Sequence, residues 1–246
     1  MKARPILFSS PMVRALLEGS KTQTRRVVNP QPSPCDHEQY NRYNGRVVPT
    51  EFFRDEDGSY ACSICGNMAM DDMRCRYGVP GDLLWVRETL WVVGEGFDYA
   101  ADGELAAEIN DTNAGLWARY GHEDGPDIHP TKIPSIFMPR WASRLTLRLT
   151  DVRVQRLTAI SEDDAEAEGL LIFNEDGNLY YSGTAPDQDN WFKQPELWFC
   201  DDPYAAYLAL WDSINGEGAC AKDPWVWALT FDVIKANVDH VLKEAA

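Results

Sequence analysis

Residues 145–157 alternate with little interruption. Leu145, Leu147 and Leu149 fall on one side, and Arg144, Thr146 and Arg148 on the other. A period of two over that length calls for a half-buried strand, and hence a sheet with one face covered. Asp151 is placed to start a second strand, Val152–Val154. Pro11–Glu18 predicts a short helix with Met12, Ala15 and Leu16 on one face; Pro11 suits its first turn and Gly19 its end. Pro80-Gly81-Asp82 predicts a turn, and Leu83–Val86 after it a buried strand. Ser161-Glu162-Asp163-Asp164 reads as a capped helix start, with Gly169 as the stop. Pro203–Ile214 predicts a helix with Tyr204, Tyr207, Leu208 and Trp211 on one face, and Trp225–Ile234 a last strand. From Lys235 the tail reads as helical or frayed. The order helix, strand, two strands, helix, helix, strand excludes the regular alternation of a doubly wound sheet. It predicts an α+β domain built on a small curved sheet or barrel.

Three polar, turn-rich inserts interrupt this core: 31–77, 94–131 and 171–202. Only Glu104–Ile109 in the second carries a helix signal. The reading is one domain over 1–246, with its core at about 4–30, 78–93, 132–170 and 203–234. The 246 residues are 44% hydrophobic, enough for a sizeable core. No apolar run reaches membrane-spanning length, and the apolar patch ended by Ser9-Ser10 is too short for a secretory signal. The expected location is the cytoplasm, where cysteines serve as thiols or metal ligands.

The net charge of -16 argues against a surface coated for non-specific nucleic-acid binding. The charge is uneven, however. Residues 1–50 hold eight basic side chains against three acidic, and residues 132–156 six against one. Two such segments can form one local site for an anionic ligand, or be two ordinary solvated faces.

Three constellations can carry chemistry. The first is Gly19-Ser20-Lys21-Thr22-Gln23-Thr24-Arg25-Arg26, where a helix ends and a strand, Arg26-Val27-Val28, begins. Lys21 and Thr24 can share a ligand; a lysine serves as a base once burial or nearby cations lower its pKa, and Arg25 and Arg26 are such cations. A threonine hydroxyl needs an adjacent base to become a nucleophile. The second is Cys35, Cys62, Cys65 and Cys75, with Cys62-Ser63-Ile64-Cys65 a C-x-x-C knuckle. That spacing suits structural zinc with four ligands, His37 being an alternative to Cys35. The third is an arginine–tryptophan group, Trp85, Arg87, Glu88, Arg140, Trp141 and Arg144. Such a group stacks a base and holds a phosphate, or is core with snorkelling neighbours. No dinucleotide, Walker or nucleophile-elbow motif is present, and the four histidines lack metalloprotease spacing.

Gly19-x-Lys21-x-x-Thr24-x-Arg26 resembles the G-x-K-x-x-[ET]-x-R signature of the ASCH domain, a PUA-like barrel family. Pro80–Val86, Leu157–Gly169 and Trp225–Phe231 resemble further pieces of that family in the same order, over roughly 110 residues of core. Trp85–Glu88, Met138–Arg144 and Leu210–Asn215 also look like proteins encoded by phages and prophages of enteric bacteria. The resemblance implies a PUA-like barrel with flanking helices, and a cleft for RNA or a modified base. Some small bacterial ASCH proteins remove the acetyl group of N4-acetylcytidine with a Lys, a Thr and a Glu. Carried over, these are Lys21 as base, Thr24 as nucleophile and Glu168 as the acid that orients or charges the lysine, with Glu166 two residues away as the competing match.

The expected function is thus binding of a modified nucleoside or nucleic-acid base, with hydrolysis of an N-acyl amide on it. Arg25, Arg26, Trp85, Arg87, Glu88, Arg140 and Arg144 would line the substrate site, and zinc would be structural. Two rivals stand beside it: a non-catalytic module that reads RNA or a modified base, and an acidic phage protein that occupies a host protein in the host cytoplasm.

Overall fold

A computed structural model describes residues 1–31, 52–54, 60–62, 74–93, 96–110, 112–120, 131–183 and 200–245. In chain order the strands and helices are β1 (Ala3–Leu7), α1 (Ser10–Glu18), β2 (Gln23–Val27), β3 (Phe52–Arg54), β4 (Tyr60–Cys62), β5 (Leu83–Arg87), β6 (Leu90–Val93), β7 (Gly96–Tyr99), β8 (Leu105–Glu108), α2 (Ala114–Tyr120), β9 (Thr131–Ile133), β10 (Thr146–Arg156), α3 (Glu162–Ala167), β11 (Leu171–Glu175), β12 (Asn178–Ser182), α4 (Pro203–Asn215), β13 (Trp225–Ile234) and α5 (Val238–Glu244). The fold is mixed α+β. Its largest sheet has the strand order β1-β5-β10-β13-β2. Among the described residues no sheet closes on itself, so the small barrel implied by the resemblance is not seen there.

The chain divides into two compact units, one of residues 1–22, 81–148 and 232–246, the other of 23–80 and 149–231. β10 and β13 each run through both. The 145–157 pattern is one eleven-residue strand rather than two. Its buried set passes from Leu147 and Leu149 to Val152 and Val154 across two exposed residues, Thr150 and Asp151. That shift of phase is what read as a strand start at Asp151.

In the first unit β1 pairs in parallel with β5, from Ala3↔Leu83 to Leu7↔Arg87, and β10 joins β5 antiparallel at Thr146↔Trp85. Asp82 fastens the start of β1: its carboxylate accepts from the Lys2 backbone N–H at 2.7 Å and from Arg4 at 2.8 Å. Gly81 before it has φ +91°, open to glycine at little cost. Leu83 and Leu84 are fully buried, worth about 1.5–3 kcal/mol each. α1 buries Val13, Ala15 and Leu16, so Val13 rather than Met12 completes its apolar face. Gly19 ends it at φ +83°, its N–H donating to the Leu16 carbonyl.

The second insert holds ordered strands in its described residues. β6–β9 form a sheet in the order β8-β7-β6-β9, over a core of Leu90, Val92, Phe97, Tyr99, Ile133 and Met138. The helix expected at Glu104–Ile109 is strand β8, paired with β7. Alanine and glutamate favour helix weakly, and pairing overrides them.

In the second unit β13 pairs antiparallel with β2, from Val226↔Val27 to Thr230↔Gln23. β2 thus starts at Gln23, three residues before the expected strand. α3 is capped by Ser161, whose hydroxyl accepts from the Asp164 N–H at 3.2 Å, and Gly169 at φ +85° follows Glu168. α4 buries Ala206, Tyr207, Leu210 and Trp211, leaving Tyr204 and Leu208 half-buried. The third insert begins with a hairpin, β11–β12, through Asp176-Gly177, both at positive φ. Asp-Gly is the sequence that such a two-residue turn favours. No described helix is long and apolar enough to cross a membrane.

Candidate functional site

Lys21, Thr24 and Glu168 are all withdrawn from water, at 1%, 3% and 4% exposure. Lysine and glutamate rarely lie so deep without a role or a partner. Lys21 belongs to the first unit. Its N–H donates to the Ala15 carbonyl at 3.1 Å, and its Nζ lies 5.7 Å from the Phe8 ring centre. Thr24 and Glu168 belong to the second.

β2 determines what Glu168 meets. Strand alternation puts Gln23 and Arg25 on one face and Thr24 on the other. Arg25 is fully enclosed. Its Nη1 donates to Gln23 Oε1 at 2.6 Å and to Glu168 Oε1 at 3.0 Å, and its Nη2 donates to Asp164 Oδ2 at 2.8 Å. Gln23 Nε2 completes the ring of contacts, donating to Asp164 Oδ1 at 3.0 Å and to Thr230 Oγ1 at 3.2 Å. Below lies the Tyr207 ring, 5.7 Å from the guanidinium carbon. Burial, then the field of Glu168, pushes the Tyr207 phenol well above its ordinary range. Burial works to raise the Asp164 carboxyl, but the Gln23 hydrogen bond and the charges of Arg25 and Arg153 prevail and hold it low. The structure therefore brings Glu168 to Arg25, with Thr24 on the opposite face of β2. Glu166 is half-buried, so burial singles out Glu168 of the two. Sequence reasoning missed Gln23, Asp164 and Tyr207. Their signals were a glutamine alternating with Arg25 and an acid in the first turn of α3.

In the arginine–tryptophan group Glu88 and Trp85 are buried, whereas Trp141 is exposed. Arg144 grips Glu88 with two parallel bonds of 3.0 Å, reaches Asp102 at 2.7 Å and Glu104 at 3.0 Å, and stacks 3.8 Å from the Tyr99 ring centre. Glu88 is 1% exposed. Its burial outweighs the pull of Arg144 and raises its carboxyl pKa. The Tyr99 phenol is pushed up to about 12, mainly by burial. Arg87 donates to the Met138 carbonyl at 3.0 Å and stacks on Trp85, which is itself core. Arg140 pairs with Asp239 at 2.7 Å near the surface. Arg26 is half-buried on β2. Arg25, Arg140 and Arg144, expected to meet a ligand's phosphate, thus hold the chain's own carboxylates, and Arg87 a carbonyl.

Of the expected zinc ligands, Cys35 and Cys65, with His37, lie outside the described residues. Cys62 is the last residue of β4, so the C-x-x-C begins where the β3–β4 pair ends at Phe52↔Cys62. Cys75 is half-buried. Among the described residues no three His, Cys, Asp or Glu side chains are grouped to hold a metal. Cys220 donates its thiol to Asp212 at 3.2 Å, and burial together with that carboxylate raises its pKa, as suits an inert cysteine.

Compared with known proteins, the chain matches no family model, no curated sequence and no solved structure at a significant level.

Proposed function

We propose that this chain is an ASCH-type protein that binds a modified nucleoside or nucleic-acid base and hydrolyses an N-acyl amide on it, N4-acetylcytidine being the model substrate. The observation that carries the reading is the burial of Lys21, Thr24 and Glu168, the three residues that the ASCH resemblance singles out. The roles are those the resemblance implies: the Thr24 Oγ attacks the acyl carbonyl as a base removes its hydroxyl proton, and Lys21 is assigned that base role. The carbon–nitrogen bond then breaks, and Lys21 returns the proton to the leaving N4 amine. Water hydrolyses the threonyl ester and releases acetate. Glu168 is the acid of the set.

The PUA-like barrel and the zinc knuckle belong to the same proposal. The order of β1, α1, β2, β5, β10, α3, α4 and β13 supports the first. The place of Cys62 at the end of β4 supports the second. Thiolates of Cys62, Cys65 and Cys75, with Cys35 or His37, would hold structural zinc that brings folding energy and no reaction chemistry. The rival reading as a salt-sensitive nucleic-acid binder has less support. Arg25, Arg140 and Arg144 are held by internal carboxylates, and the net charge of -16 repels a polyanion.

Acetate release from N4-acetylcytidine and a panel of acylated nucleosides tests the reading. Wild type should be active, and Lys21→Met and Thr24→Val, which keep side-chain volume, should be inactive while remaining folded by circular dichroism. Wild-type inactivity on the whole panel refutes hydrolysis.

A further inference from the structure

We propose that Arg25 is a positioning residue, which holds the Glu168 carboxylate in place rather than binding an anionic group of the ligand. The inference rests on the hydrolase reading for its catalytic consequence, and on geometry alone for the contact.

Arg25 lies outside the spaced residues of the ASCH-like signature, and its side chain has no exposed surface. A guanidinium has five N–H donors in a rigid fork. Here its two terminal nitrogens reach three acceptors supplied by the chain: Gln23 Oε1, Glu168 Oε1 and Asp164 Oδ2. Two of those are carboxylates, so an incoming phosphate would have to displace a charge already in place. Three of its five N–H are thus committed to the chain, and the side chain has no exposed surface through which a phosphate could reach the other two. Tyr207 covers one side of the group.

Glu168 needs such a hold. It caps a six-residue helix and precedes Gly169 at φ +85°, where the backbone turns away. A helix that short is marginal by itself. Arg25 sits on a strand paired residue by residue with β13, so it lends Glu168 the rigidity of the sheet. Asp164, one turn earlier on α3, is gripped by the same guanidinium, and Gln23 ties that carboxylate to Thr230 on β13. The short helix is therefore held at two points.

The test uses Arg25→Gln and Arg25→Lys in the full chain, with N4-acetylcytidine as substrate. Positioning predicts that kcat falls about 100-fold, as for an ångström-scale misplacement, with KM within about two-fold. Arg25→Lys should fall between wild type and Arg25→Gln, because a lysine keeps the charge but not the fork. A raised KM with unchanged kcat overturns the proposal, since Arg25 would then bind ligand. If wild type releases no acetate, the hydrolase reading has failed, and the contact is judged by amide hydrogen exchange over residues 161–169. Exchange there should quicken in Arg25→Gln, and unchanged exchange overturns the proposal. Should Arg25→Gln not fold, Arg25→Lys carries both measurements.

Discussion

Arg144→Gln is the substitution whose cost the structure defines most closely. It removes one partner of a pair in which Glu88 is 1% exposed and bonded twice at 3.0 Å. Leaving a buried carboxylate without its guanidinium costs about 3–5 kcal/mol. The other contacts add little. Glu104 is 72% exposed, and an ion pair with such a group contributes about 0–1 kcal/mol. Stacking on Tyr99 adds about 1 kcal/mol. For a chain of this length the midpoint of thermal unfolding should drop by about 6–20 °C, at roughly 2–4 °C per kcal/mol. The pH dependence follows from Glu88. Its folded pKa lies above its unfolded value, so between the two the folded state binds more protons and stability falls as pH rises. Without Arg144 the folded value rises further, so the loss should be larger at pH 8 than at pH 5. Urea midpoints at both pH values measure this, with hydrogen exchange over residues 83–104 locating the loosened region. The double variant Glu88→Met with Arg144→Met should lie closer to wild type than Arg144→Gln does. A loss below about 1 kcal/mol, or one equal at both pH values, refutes the reasoning and returns Arg144 to the candidates for ligand binding.

Zinc analysis of protein purified without chelator should find one ion per chain, and its removal should loosen residues 52–78; well under one ion with unchanged exchange there would sink the knuckle. Asp164 titrates below its unfolded value, so its contribution is present above about pH 4 and lost as pH falls through the folded value. The urea-midpoint gap between wild type and Asp164→Asn should therefore shrink from pH 5 to pH 3, and a constant gap would contradict the assignment.

The elements legible in the sequence were those whose signals are local. α1 has Pro11 and Gly19 at its ends, and β13 covers the predicted Trp225–Ile234. β8 was misread because its alanines and glutamate carry a helical preference that only β7, a different segment, overrules. The hairpin at 171–182 was missed although Asp176-Gly177 marks it. At the site, Lys21 and Thr24 stood out by spacing. The company of Arg25 did not, because Asp164 and Glu168 lie 139 and 143 residues further along the chain. No periodicity reports a contact at that range. The arginines near Trp85 and Trp141 meet a related limit, since residue type does not say whether a cation faces a ligand or the chain's own acids.

The pairing of β2 with β13 also orders events during synthesis. Gln23 and its partner Thr230 are separated by 207 residues, so β2 leaves the ribosome long before the strand that completes it. Until that strand is made, the Lys21–Arg26 stretch waits in water. A hydrophobic strand left waiting would seek other chains, whereas one bearing lysine, glutamine and two arginines stays soluble. The polar content that makes this segment costly to bury is what lets it wait. A product shortened before residue 225 would leave the stretch without its pairing strand, so the proposed chemistry waits on a segment some two hundred residues away.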